Sequence, residues 1–139
     1  MPAIVIPDVT LNDGTTIPQL GFGVFRVPDH EATPAVAAAL EAGYRAIDTQ
    51  AWSPLGHGQL ISDPTVATIA ERRGKTAAQI LLRWNLELGN AVISKSVTPE
   101  RIRTNMEIFG FELTSEDDTA LATLDTGTRT GPDPEVYGA

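Results

Sequence analysis

Residues 44–55 hold two strand-like runs in direct succession, Tyr44-Arg45-Ala46-Ile47-Asp48-Thr49 and Gln50-Ala51-Trp52-Ser53, the second closed by Pro54. The rest of the chain alternates strand and helix patterns, which implies an α/β fold with parallel strands. Parallel neighbours need a crossover of about a dozen or more residues between them. None separates Asp48 from Ser53. The two runs therefore cannot be two parallel neighbours, and the segment is one continuous strand or a strand with an irregular extension.

The flanking patterns are regular. Val9-Thr10-Leu11 and Thr16-Ile17 flank Asn12-Asp13-Gly14, a hairpin signal. Residues 20–25 form a short apolar run of buried-strand type. An alanine-rich helix is expected over 31–40, with Pro34 tolerated only near its first turn and Gly43 as its stop. A Gly/His loop follows residues 50–55. A helix over 64–73 ends at Gly74, and another opens where Thr76 and Gln79 stand at capping-box spacing, with Ile80, Leu81, Trp84 and Leu88 on one apolar face. Residues 91–93 are a buried-strand candidate. Thr98-Pro99-Glu100 opens a helix with Thr98 as N-cap, and a last helix starts at Thr114 or Ser115 with acidic residues at its positive end. The Gly/Pro/Thr-rich stretch 126–139 is expected to be a flexible tail.

Composition narrows the function. With no cysteine there is no disulfide scaffold, thiolate zinc site or cysteine nucleophile. Eighteen acidic against 10 basic residues, a net charge of −8, argue against nucleic acid or an anionic membrane as partner, while a local basic patch can still hold a small anion. No signal or transit peptide is visible, and no apolar run approaches the ~18 residues of a membrane span, so a cytoplasmic protein is expected. His30 and His57 stand in polar stretches without further histidines, which leaves no metal site. Gly21 and Gly23 lack the third glycine of a dinucleotide-binding turn.

Leu11-Asn12-Asp13-Gly14, Ile17-Pro18, Gly21-Phe22-Gly23-Val24-Phe25 and Gly43-Tyr44-Arg45-Ala46-Ile47-Asp48-Thr49 resemble the opening of an aldo-keto reductase. Trp52-Ser53-Pro54-Leu55-Gly56, then Ser94-Lys95-Ser96-Val97-Thr98-Pro99-Glu100-Arg101-Ile102 and Asn105, resemble the close of the same family, near its bacterial diketogluconate-reductase-like members. The family's fold is an eight-stranded β/α barrel of ~250 residues. The resemblance implies a partial (β/α)8 TIM barrel: strand one, strands two and seven fused into one, strand eight, with flanking helices and an N-terminal β-hairpin. The chain would be a single internally truncated domain, with an N-terminal part over 1–49, a C-terminal part over 50–125 and the tail, the join falling at Asp48-Thr49-Gln50.

The resemblance also implies chemistry. These enzymes move a hydride from NADPH to a small-molecule aldehyde or ketone, using a tyrosine as proton donor tuned by a lysine, a histidine and an aspartate. Asp48 matches the aspartate; the other three have no matching position. By the same resemblance Lys95, Ser96 and Arg101 would contact the adenosine 2′-phosphate, with Val97 beside them and Asn105 near the adenine. Trp52 would stack on the nicotinamide, with Ser53 and Leu55 along the pyrophosphate. Thr104 departs from the family's glutamate and Gln50 from its usual alanine. Read without the family, Lys95 and Arg101 are ordinary surface charges, Trp52 a core aromatic, and Tyr44 a partly buried aromatic at a strand start.

Two functions fit the resemblance: an NADPH-dependent carbonyl oxidoreductase by descent, or a non-catalytic NADP-binding or self-associating barrel fragment. In the parent ring the strand order seven, eight, one, two makes the retained strands contiguous. The fused strand can replace the second or the seventh, not both, so about three parallel strands with two open edges are expected, which invites a homo-oligomer.

Overall fold

The computed structural model describes residues 4–24, 26–48 and 58–127. Its first elements are the antiparallel strands β1 (Asp8–Thr10) and β2 (Thr16–Pro18). They are joined by a turn in which the Asp13 carboxylate accepts from the Thr15 amide at 2.9 Å and the Thr15 hydroxyl at 2.7 Å. Gly14 takes φ +84° there, which explains the glycine. The hairpin is as the Asp-Gly signal predicts.

Strand β3 (Leu20–Gly23) is buried throughout and ends two residues before the expected 20–25. The cause is a turn: the Val27 amide donates to the Val24 carbonyl at 3.0 Å, and Arg26 adopts a left-handed φ of 56°. Helix α1 (Asp29–Ala42) is longer than the expected 31–40 and carries Pro34 in its second turn, where the ring removes one helical donor. Gly43, at φ 109°, sends its N–H to the carbonyls of Ala39 and Leu40. The Tyr44 amide also returns to the Ala39 carbonyl, at 3.0 Å. Tyr44 thus belongs to the turn that closes α1, and the following strand β4 (Ile47–Asp48) is only two residues long. The continuation over 49–57 lies outside the described residues, as does the tail from 128.

The second half opens with a 3-10 turn at Leu60–Ser62, where a loop was expected. Helix α2 (Pro64–Arg73) is capped by Asp63 and stopped by Gly74 at φ 61°. Helix α3 (Ala77–Glu87) starts on the capping box of Thr76 and Gln79. Its buried face is Gln79, Ile80, Leu81, Leu82 and Leu86; Leu88 lies past its end and is 60% exposed, not on that face as expected. Strand β5 (Val92–Ser94), helix α4 (Pro99–Met106) and helix α5 (Ser115–Ala122) complete the described order.

The three parallel strands form one sheet in the order β4-β3-β5. Phe22 pairs with Ile47 on one side of β3 and with Ser94 on the other. Leu20, Phe22 and Val92 bury against Ala35, Ala38 and Ala39 of α1, Leu82 and Leu86 of α3, and Ile102 and Met106 of α4. The alanines let α1 approach closely, and a Cβ on Gly43 would come within 3.0 Å of the Met106 methyl. A second cluster gathers Val66, Ile69 and Ala70 of α2, Ile80 and Leu81 of α3, Leu113, and Leu121 of α5. Helix α3 faces both clusters and joins the sheet layer to the outer helices.

Candidate functional site

In a parallel α/β layer the loops at the carboxyl ends of the strands and the first turns of the following helices are where ligands are held. The β5–α4 connection has this form. The Ser96 hydroxyl oxygen accepts from the Thr98 amide at 3.1 Å and turns the chain into α4. Pro99 occupies the first helical position, where its missing N–H costs nothing. Thr98 was expected to cap this helix with its side chain, and it does not. Asp63, Thr76 and Thr114 do cap α2, α3 and α5. The positive end of α4 is therefore not satisfied by its own cap side chain.

A cleft of about 590 Å³ opens beside this turn, between α4 and the start of α3. Lys95, Ser96, Thr98, Arg101 and Asn105 line one wall, and Thr76, Ala77 and Ala78 the other. Lys95 and Arg101 are exposed at the surface, whereas Asn105 is only 7% exposed. A shallower depression of about 390 Å³ adjoins it, where Arg26 and Glu31 face Lys95, Ser96, Val97 and Arg101. Two positive side chains, four hydroxyls, a buried carboxamide and a helix N-terminus suit a phosphorylated, hydrogen-bonding ligand. Glu100 also lines the cleft and is the one acidic side chain on that wall.

The sequence-derived residues separate into two groups. Lys95, Ser96, Arg101 and Asn105 meet in the cleft, and Val97, 46% exposed, lines the depression beside it. Asp48 ends β4, its backbone paired with Gly23; its side chain lies outside the described residues, as do Trp52, Ser53 and Leu55. Thr104, at the position of the family glutamate, lines the cleft and donates its hydroxyl to the Glu100 carbonyl at 2.9 Å. The start of α3 was missed as a wall of the site, although the Thr76 capping signal marked where that helix begins.

Tyr44 differs most from its sequence reading. It is fully buried rather than partly so, with its hydroxyl 3.2 Å from the Ser94 hydroxyl and 3.3 Å from the Ile102 carbonyl. Burial pushes its pKa up to about 12, against a smaller opposing effect of the Ser94 hydrogen bond. A proton donor for reduction near neutrality needs the opposite shift. Lys75 stands over the Phe111 ring at 5.1 Å and His30 beside Glu31 at 3.6 Å.

The Aldo/keto reductase family model matches residues 50–125, more than half of the chain. The chain belongs to the aldo-keto reductase family. An aldo-keto reductase of Mycolicibacterium smegmatis is 56% identical over 91 residues, which are 66% of this chain and 33% of that protein. Aldo-keto reductase Rv2971 of Mycobacterium tuberculosis is 52% identical over 89 residues, 64% of this chain and 32% of its own. The chain thus spans about a third of the length of the curated relatives it matches. Among solved structures, an aldo/keto reductase from Brucella melitensis aligns with a TM-score of 0.79 at 25% identity, over 87% of this chain and 100% of that one. A Gox0644 variant in complex with NADPH aligns at 0.86 and 19% identity, over 94% and 98% of the two chains. The aldo-keto reductase fold they share is a (β/α)8 barrel. Its part in this chain is a three-stranded parallel sheet with helices packed on it, among the described residues. No described helix is long and apolar enough to cross a membrane.

Proposed function

We propose that the α3–α4 cleft binds the adenosine 2′-phosphate end of NADPH, in a chain descended from an NADPH-dependent carbonyl reductase. The observation that carries this reading is the convergence of Lys95, Ser96, Arg101 and Asn105 on one cleft beside a helix N-terminus whose cap side chain is not engaged. The donor set fits the ligand. Lys95 and Arg101 would hold the phosphate from two sides, the Ser96 hydroxyl and the first free amides of α4 would donate to its oxygens, and Asn105 would read the adenine edge. NADPH supplies a hydride for reduction of an aldehyde or ketone carbonyl.

Residues 49–57, with Trp52, Ser53 and Leu55, would continue the site toward the nicotinamide, and Asp48 would be the retained member of the catalytic set. The family's tyrosine, lysine and histidine have no counterpart at matching positions in this reading. Tyr44 does not replace the tyrosine, because its hydroxyl is committed inside the core. The isolated chain is therefore read as an internally shortened barrel domain that binds cofactor and turns over little or nothing. Its join would lie at 48–50, where the family match begins. With three parallel strands and two outer edges, it would also pair with a second copy.

Calorimetric titration with adenosine 2′,5′-bisphosphate tests the cleft. Lys95→Ala and Arg101→Ala should each weaken binding about ten-fold, as expected for a lost charge-assisted hydrogen bond. Absence of binding by the wild-type chain, or indifference to both substitutions, overturns it. Absorbance at 340 nm with NADPH and a reactive aldehyde separates the two functions: steady loss identifies a working reductase, and none a binding module.

A further inference from the structure

We infer that Tyr44 is a positioning residue for the cleft, its hydroxyl locking the end of β5 to the body of α4 and so setting the spacing of Lys95 and Arg101. The inference rests on the cleft being the 2′-phosphate site. Tyr44 and Phe22 pack with their rings 5.7 Å apart and tilted by 56°, which holds the phenol in one orientation. Its hydroxyl donates to the Ile102 carbonyl at 3.3 Å. A phenol has one proton to give, so the contact of 3.2 Å to Ser94 is made with the serine donating and the phenol oxygen accepting. All three residues are essentially inaccessible, Tyr44 at 0%, Ser94 and Ile102 at 1% each. In this dry setting a fully satisfied polar network specifies one arrangement.

The partners are the informative part. Ser94 immediately precedes Lys95, and Ile102 immediately follows Arg101. One hydroxyl thus ties the Ser94 side chain to the Ile102 carbonyl, at the two positions adjacent to the two cleft cations. The far end of α4 is held by another group, the Gln79 carboxamide, which donates to the Thr104 and Glu107 carbonyls at 3.0 and 3.3 Å. Gln79 joins α4 to α3; Tyr44 joins α4 to the sheet. The phenol stays protonated across the working pH range, because burial raises its pKa to about 12.

The test is a double-mutant cycle on the full chain, read by titration with adenosine 2′,5′-bisphosphate at a temperature where each variant is folded by circular dichroism. Tyr44→Phe keeps the ring and should weaken binding about five-fold, the scale of a lost buried hydrogen bond. Ser94→Ala should weaken it in the same direction, and serves in place of Tyr44→Phe if that variant does not fold. In the Lys95→Ala background the Tyr44→Phe effect should shrink to nothing, which a merely structural role would not produce. Wild-type binding that both substitutions leave unchanged, or an equal loss in both backgrounds, overturns the positioning role alone. No binding by the wild type overturns the cleft reading and this inference with it.

Discussion

At the scale of single residues, burial decides chemistry. Asp117 has no exposed side-chain surface, and desolvation by itself would raise its pKa. The Thr114 amide and hydroxyl and the guanidiniums of Arg73 and Arg72 outweigh that and hold it at about 2, against the usual 3.8. A depressed carboxylate stabilises the fold above its unfolded pKa and ceases to do so as pH falls through the folded value. About 2 kcal/mol should therefore be lost between pH 4 and 2, a loss that urea titrations at stepped pH should show for the wild type and not for Asp117→Asn. Tyr44 has the opposite sign. Its pKa is raised from 10 to about 12, so its contribution is complete below pH 10 and declines as pH rises toward 12. Alkaline melts of Tyr44→Phe should lack that decline. Only the type of each residue was legible in the sequence; the shifts come from burial and, for Asp117, from Thr114 and from arginines 44 and 45 positions away.

At the scale of elements, local signals and tertiary ties were unequally readable. The capping box of α3, the start of α5 at Thr114 or Ser115, the Asp13-Gly14 turn and the Gly43 and Gly74 stops were legible because they are made by residues within a few positions of each other. Gln79 shows what was not. Its carbonyl oxygen accepts from the Thr76 amide at 3.0 Å, which the spacing predicts, while its amide reaches across to the end of α4. Gln79→Ala should cost about 2 kcal/mol, more than the roughly 1 kcal/mol of a cap alone, since the Thr104 and Glu107 carbonyls at the end of α4 lose a buried donor as well. Thermal melts beside Thr76→Ala separate the two contributions. The strand expected from Tyr44 starts at Ile47 because Tyr44 was claimed by the turn that ends α1.

At the scale of the whole molecule, the central strand is β3, with β4 on one side and β5 on the other. The outer edges of β4 and β5 have no strand partner among the described residues, and such edges pair readily. Sedimentation velocity should give a species larger than 14.8 kDa; a sharp monomer with a cooperative melt would sink self-association. The sequence by itself determined the family, the alternation of strand and helix, the bounds of α2 and the start of α3, because these rest on motifs and caps that neighbouring residues complete. Which strand lies beside which, which wall of the cleft α3 supplies, and that a tyrosine at the end of α1 ties together the segment carrying both cations were decided only by the tertiary structure. Each of those depends on side chains far apart in sequence being buried together, where an unpaired hydroxyl or carboxamide is too costly to leave alone.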